Sequence, residues 1–150
     1  APTERDLAEV GVTLVVLATV FQLTFPGAPG VYYGDEVGLD GEDDPGCRGA
    51  FPWGSAEVEQ HPVGDAIRQI TRLRRRHRAL REGEFGIVAA RGRAVAFERR
   101  SGRSRVLVVL NLEPRVVRFE VGAAAVLWGD AALVDGQVSV AARAAAILRG

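Results

Sequence analysis

Apolar residues occupy most positions between Leu7 and Phe25, the longest apolar stretch of the chain. A segment that is apolar on nearly all sides is typical of a buried element. Its β-branched residues would suit a strand, but its length favours a helix that ends at Pro26-Gly27. Its most apolar part, Val10 to Phe25, is shorter than the roughly 20 residues that cross a bilayer, so we expect no membrane span.

A short strand and a second helix are predicted next. The apolar run from Ala28 to Tyr33 predicts a buried strand, and a loop follows from Asp35 to about His61. Pro62 suits the first position of a helix and Gly83 its end. Acidic residues near the start of this helix and arginines near its end complement the helix dipole. Its apolar stripe consists of Val63, Ile67, Ile70, Leu73, His77 and Leu80.

The hydrophobic period falls to two beyond Gly83, which predicts strands. Val117 to Val121 alternates apolar with charged residues, whereas Val106 to Leu110 is continuously apolar, as expected of a central strand covered on both faces. Ser101-Gly102 and Asp135-Gly136 are turn dipeptides between apolar runs. The pattern predicts about eight short strands at intervals of about 8–12 residues, which indicates an antiparallel sandwich.

Composition then narrows the functional classes. The formal net charge is zero over 150 residues, so nothing steers the whole chain toward nucleic acid or an anionic membrane. Cys47 is the single cysteine, which excludes an internal disulfide, and the two histidines lack zinc-ligand spacing. No glycine-rich segment has the spacing of a phosphate-binding loop. We expect no metal and no cofactor.

The densest charge run lies between Arg72 and Arg78 and invites a nucleic-acid interpretation. An apolar stripe passes through this run, and basic residues at the end of a helix complement its dipole. We therefore expect a solvated helix face here, and no nucleic-acid partner.

The segment Phe25 to Leu39, followed by Asp44-Pro45-Gly46-Cys47-Arg48 and Phe51-Pro52-Trp53, is the most distinctive part of the chain. It resembles the last strand and following loop of the alpha-amylase family barrel, within the branch of cyclomaltodextrinases, neopullulanases and maltogenic amylases. The resemblance implies that residues 1–82 are the C-terminal portion of a (β/α)8 barrel and residues 83–150 the family's β-domain. The expected fold class is α+β, a partial barrel remnant followed by an antiparallel β-sandwich.

The same resemblance implies that Asp44 and Arg48 hold the terminal glucose of an α-glucan or maltooligosaccharide. A carboxylate can accept from two vicinal hydroxyls, and a guanidinium can donate to further sugar oxygens. The alternative is a surface ion pair that stabilises a turn, worth about 0–1 kcal/mol. The long matching context around the two residues favours substrate contact.

No catalytic residue is assigned in this chain. The family's three catalytic carboxylates follow earlier strands, and Thr3-Glu4-Arg5 resembles the residues just after the last of them. The His-Asp pair of that motif would then fall on Ala1 and Pro2, which cannot do its chemistry. A retaining glycosidase needs carboxyls about 5–5.5 Å apart on opposite sides of one bond, and neighbours such as Asp35-Glu36 and Asp43-Asp44 point in different directions. We expect Asp35 and Glu36 to be structural or to support residues that contact substrate, and this chain alone to be inactive.

Several aromatic residues allow two interpretations. Tyr32, Tyr33, Phe51 and Trp53 have faces that suit the C–H face of a pyranose, but core packing is the simpler explanation. Core packing is favoured for Tyr32 or Tyr33, and the role of Trp53 stays open. Trp128 is expected to be buried in the β-domain rather than exposed for starch binding.

These observations lead to one hypothesis and one alternative. The hypothesis is the C-terminal portion of an α-glucan-processing glycoside hydrolase, acting at α-1,4-glucosidic bonds, that positions substrate but lacks the catalytic carboxylates. The alternative is a stand-alone, non-catalytic β-module that binds glycan or a partner protein. A barrel remnant leaves a strand edge and an apolar helix face uncovered, so we expect a missing N-terminal barrel segment or a homo-oligomer partner. We expect a cytoplasmic location, with secretion left open because a signal could precede Ala1.

Overall fold

The computed structural model describes residues 3–39, 41, 43–54, 58 and 60–150. The first part of the chain contains helices α1 (Glu4–Thr24), α2 (Pro62–Arg76) and α3 (Arg78–Glu82), with 3-10 turns at Asp35–Val37 and Gly46–Arg48. The second part contains the strands β1 (Glu84–Arg91), β2 (Ala94–Ser101), β3 (Ser104–Asn111), β4 (Val117–Glu120), β5 (Ala125–Gly129), β6 (Ala131–Val134), β7 (Gln137–Val140) and β8 (Ala144–Arg149).

The strands form the predicted antiparallel sandwich. One sheet has the order β1-β2-β3-β8-β5 and the other β4-β7-β6, and every pairing is antiparallel. A core that includes Leu107, Val109, Phe119 and Val138 lies where the two sheets face each other. The predicted α+β class is therefore confirmed.

Strand β3 is central, as its continuous apolar run predicts. Its residues Val106 and Val108 belong to the core beneath the helices, whereas Leu107 and Val109 belong to the core between the sheets. All four are fully buried. Alternate residues of a strand point to opposite faces, so a strand covered on both faces must be apolar throughout.

A helical layer covers the outer face of the five-stranded sheet. Leu17, Val20 and Leu23 of α1 pack in one core with Ile70 of α2 and with Phe97 of β2. Helix α1 is long and apolar enough, by length and composition, to cross a membrane, but in this structure one stripe of it lies in that core. Residues on both sides of Gly83 share this core, and the division into domains 1–82 and 83–150 stays a prediction.

The second helix differs from its prediction in one respect. It starts at Pro62 and its last segment ends before Gly83, as expected, but it is interrupted at His77, where φ is −103° and ψ is 110°. After the break, Ala79 and Leu80 are fully buried against the sheet. A tertiary contact therefore sets the direction of α3, which the apolar period alone does not reveal.

The predicted strand at Ala28 to Tyr33 is wrong. These residues are irregular and exposed, with Tyr32 60% exposed, so the core position favoured for Tyr32 or Tyr33 is wrong as well. A strand requires a neighbour to satisfy its backbone groups, and none of the strands in the described residues pairs with this segment.

Candidate functional site

A tight turn opens the loop that carries the candidate site. Gly34 has a φ of 95°, and its N–H donates to Oε2 of Glu36 at 2.9 Å. The side chain of Leu39 lies so close to Gly34 that an added Cβ would be 2.8 Å from it. Glu36 thus holds the turn together, in agreement with the structural role expected for it.

The same loop rests on the N-terminal end of α2. A Cβ on Gly64 would lie 2.6 Å from the carbonyl oxygen of Glu36, so the two backbones are in direct contact. His61 stands just before the helix, where its Nδ1 accepts from the N–H of Val63 at 3.4 Å. Gly38 packs against the His61 ring. Helix α2 therefore supports the first part of the loop.

Asp44 and Arg48 lie together at the surface. Nη2 of Arg48 is 3.3 Å from Oδ2 of Asp44, and the two side chains are 68% and 65% exposed. The Asp44–Pro45 peptide bond is cis, and the N–H of Arg48 donates to the Pro45 carbonyl at 3.0 Å. The compact turn therefore presents both charged groups to solvent on one side of the loop.

The aromatic residues nearby are also accessible. The Tyr33 hydroxyl donates to the Gly49 carbonyl at 3.3 Å, which ties the start of the loop to the residue after Arg48. Phe51 and Trp53 have ring centroids 4.5 Å apart, and Trp53 is 85% exposed. Trp53 thus lies outside the core, whereas the sequence alone left its role open.

Two buried arginines, which sequence reasoning missed, hold the end of α1. Arg74 donates to the carbonyls of Leu23, Phe25 and Gly27 at 3.0, 3.3 and 2.5 Å. Arg99 donates to the Thr24 carbonyl at 2.7 Å. Burial lowers the pKa of each guanidinium from its usual value. Repulsion from Arg81 adds to the effect at Arg74, and repulsion from Arg74 adds to it at Arg99.

The expectation of a solvated face over Arg72 to Arg78 is therefore wrong for Arg74, which is 9% exposed. Its neighbours Arg72, Arg75 and Arg76 are exposed as expected. A detectable signal existed for Arg99, because it follows Val95 and Phe97 at spacings of two and so shares their inward face. A charged residue on such a face needs a buried hydrogen-bonding partner.

Three further features bear on ligand binding outside this loop or on its reactive side chains. The described part of the chain has no group of three or more His, Cys, Asp or Glu residues placed to hold a metal ion. Cys47 is exposed. An apolar groove of about 750 Å³ runs between α1 and strands β5 and β8. Trp128 lines this groove and packs against the core, so it is half-buried rather than fully buried as expected.

The comparisons with known proteins agree with one another. No family model matches the chain. A cyclomaltodextrinase from Thermoanaerobacter pseudethanolicus is 40% identical over 111 residues, which cover 73% of this chain and 19% of that protein. A maltogenic alpha-amylase from Bacillus acidopullulyticus is 30% identical over 123 residues, which cover 78% of this chain and 21% of that protein. A solved debranching enzyme from Nostoc punctiforme has a TM-score of 0.79 at 30% identity, over 93% of this chain and 31% of its own.

The resemblance predicted from Phe25 to Trp53 is thus confirmed. The chain is similar to the C-terminal part of alpha-amylase family glycoside hydrolases, including cyclomaltodextrinases and maltogenic amylase. It spans about one fifth of the length of the curated relatives that it matches.

Proposed function

We propose that this chain is the C-terminal portion of a glycoside hydrolase acting on α-1,4-linked glucans, and that Asp44 and Arg48 bind a terminal glucose unit. The exposed Asp44–Arg48 pair carries the proposal, because it stands in the segment that resembles the relatives most distinctively. The catalytic carboxylates would belong to other segments of the enzyme, so the isolated chain would position substrate without hydrolysing it.

The chemistry of the pair supports a sugar-binding role. A guanidinium has several N–H donors and a carboxylate has two acceptor oxygens, so one contact of 3.3 Å exhausts neither group. Both side chains are about two-thirds exposed, and such pairs add only about 0–1 kcal/mol to stability. Stability is therefore a weak reason for placing the two charges together on a tight turn.

The half-buried ring of Phe51 and the exposed ring of Trp53 would add an apolar surface beside this pair. Trp53 is the more exposed of the two, and the C–H face of a pyranose is apolar enough to pack on an indole. We expect maltotriose to change the tryptophan fluorescence of the chain, and we expect Trp53→Phe, but not Trp128→Phe, to abolish that change.

The experiment replaces the two charged residues in the full-length enzyme to which this segment is proposed to belong. A hydrogen bond to a charged group is worth about 1.5–3 kcal/mol, so Asp44→Ala and Arg48→Ala should each lower kcat/KM for maltotriose about 10- to 150-fold. Arg78→Ala is the matched control, because Arg78 forms an exposed i,i+4 pair with Glu82 at 2.7 Å within α3. Unchanged kinetics in both site variants would refute the assignment.

One observation favours the alternative of a stand-alone module. The helical layer packs on the sandwich through one core, and a second core lies between the two sheets of the same chain, so both layers bury apolar residues without a further segment. Hydrolysis of maltotriose by the purified chain would contradict the proposal of a non-catalytic segment. The genomic reading frame before Ala1 discriminates the two cases, since three spaced carboxylate motifs are expected only for the hydrolase.

Helix α1 also presents an apolar face to solvent, formed by Leu7, Leu14 and Val15. In the proposed hydrolase, other barrel segments would cover this face. In the isolated chain, a second copy of the chain would cover it. Exposed apolar surface of this kind promotes association. We expect the isolated chain to dimerise, and light scattering that gives a monomer mass at all concentrations would count against this. The cytoplasmic location stays a prediction.

A further inference from the structure

We propose that Arg74 is a positioning residue for the glucan site, because it sets the direction in which the chain leaves α1 toward Asp44 and Arg48. This inference rests on the proposed function of those two residues. Arg74 lies on α2, 47 to 51 positions along the chain from the carbonyls that it binds. It therefore joins two helices and the start of the loop through one side chain.

The contacts of Arg74 extend past the end of α1. Its Nη1 binds the carbonyls of Leu23 and Phe25, whereas its Nη2 binds that of Gly27. The last turn of α1 contains no basic residue of its own. A cation is favoured there because the helix ends with unpaired carbonyls that carry partial negative charge. The planar guanidinium binds several carbonyls at once and so orients them relative to one another.

Arg99 supports the same helix end from the sheet. It is 1% exposed and joins the Thr24 carbonyl to the carbonyls of Leu80 and Gly83, which close α3. Arg99 therefore holds the helices together, and its hydrogen bonds within the described residues go to Thr24, Leu80 and Gly83. Arg74 is the one of the two that reaches beyond the helix, to Gly27.

A series of contacts leads from Gly27 to the candidate site. Gln22 on α1 donates to the Gly30 carbonyl, and the hydroxyl of Tyr33 donates to the Gly49 carbonyl, next to Arg48. The intervening turn rests on Gly64 of α2, the same helix that carries Arg74. Helix α2 thus holds the loop at two places, and a change in the exit direction at Gly27 would move the segment between them.

The first test uses the intact chain and hydrogen exchange. Arg74→Met keeps an unbranched stem like the aliphatic part of arginine but removes the guanidinium donors, and Arg75→Met is the matched control on the exposed face. The amides of Asp35, Val37 and Leu39 are hydrogen-bonded within the turn. We expect Arg74→Met to accelerate their exchange about tenfold or more beyond any acceleration in β3, which reports the change in global stability. Exchange that matches the wild type, or that rises equally in β3, would overturn the inference.

The second test measures maltotriose binding by NMR titration of the same variants. Arg74→Met should weaken binding at least about fivefold. Arg74→Lys should recover part of the affinity, because it retains the charge but lacks the planar guanidinium with its several donors. In an Asp44→Ala background, Arg74→Met should have no further effect, because its influence passes through the site. Equal affinity of wild type and Arg74→Met would overturn the inference. If the wild type binds no maltotriose, the proposed function fails, and the exchange result alone decides whether Arg74 orients the loop.

Discussion

Replacing the buried Arg99 tests a contact that joins the ends of α1 and α3 to strand β2. Arg99 donates to the carbonyls of Thr24, Leu80 and Gly83 at 2.7, 3.2 and 2.9 Å. Arg99→Met removes these donors and leaves a shorter, unbranched apolar side chain in the core. The carbonyls at the ends of α1 and α3 would then lose their partner in a place that water reaches poorly.

The expected loss of stability follows from these contacts. Three hydrogen bonds to a charged group, at about 1.5–3 kcal/mol each, give about 4.5–9 kcal/mol. Part of this is offset, because methionine avoids the cost of burying a charge, which is several kcal/mol. We therefore expect Arg99→Met to lower the free energy of unfolding by about 3–5 kcal/mol, a large share of the usual total of about 5–15 kcal/mol.

Urea denaturation followed by circular dichroism measures this difference. With a slope of about 2 kcal/mol per molar urea, the midpoint should fall by about 1.5–2.5 M. Arg100→Met is the matched control, because Arg100 is the next residue of β2 and forms an exposed pair with Glu98 at 3.1 Å. Its cost should stay below about 1 kcal/mol. A loss under 1 kcal/mol for Arg99→Met, or equal losses in the two variants, would refute the reasoning.

Two further predictions concern backbone contact and pH. Gly64→Ala should destabilise the chain by about 1–3 kcal/mol, because its Cβ would lie 2.6 Å from the Glu36 carbonyl oxygen. Gly11→Ala has open space around it and should stabilise helix α1 by about 0.5–1 kcal/mol. Equal thermal midpoints for the two variants would contradict this. The hydrogen bond from Arg105, helped by Arg100, holds the pKa of Glu98 below its usual value. A lowered carboxyl pKa gives stability that is complete above the unfolded pKa of about 4.3 and is lost as the pH falls through the folded value. Glu98→Gln should therefore be less stable than wild type at pH 7 and equal to it at about pH 2, and a pH-independent difference would exclude this linkage.

Parts of the fold with local signals were predictable. The sandwich follows from alternation in strands such as β4, and the hairpin at Asp135-Gly136 forms as its sequence predicts, with positive φ at both residues. The central position of β3 follows from its unbroken apolar run. Each of these features depends on residues close together in the chain, so one sequence suffices to detect it.

Features set by distant residues were not predictable in this way. The run Ala28 to Tyr33 has the composition of a buried strand but lacks a neighbouring strand in the structure. The sequence pattern places Arg74 among several surface arginines, and only the packing of α1 beside α2 shows that it is buried. Asp44 and Arg48 were identified from family resemblance, and only the folded loop shows that their side chains meet at 3.3 Å.

The sequence by itself determined the order of the elements, the antiparallel sandwich and the alpha-amylase family relationship, because periodicity and a distinctive segment are local properties. Only the tertiary structure decided which arginines are buried, where the second helix breaks and which apolar run remains exposed. Each of those outcomes depends on whether a distant backbone or side chain lies close enough to satisfy a hydrogen bond or exclude water, and the linear pattern does not record that distance.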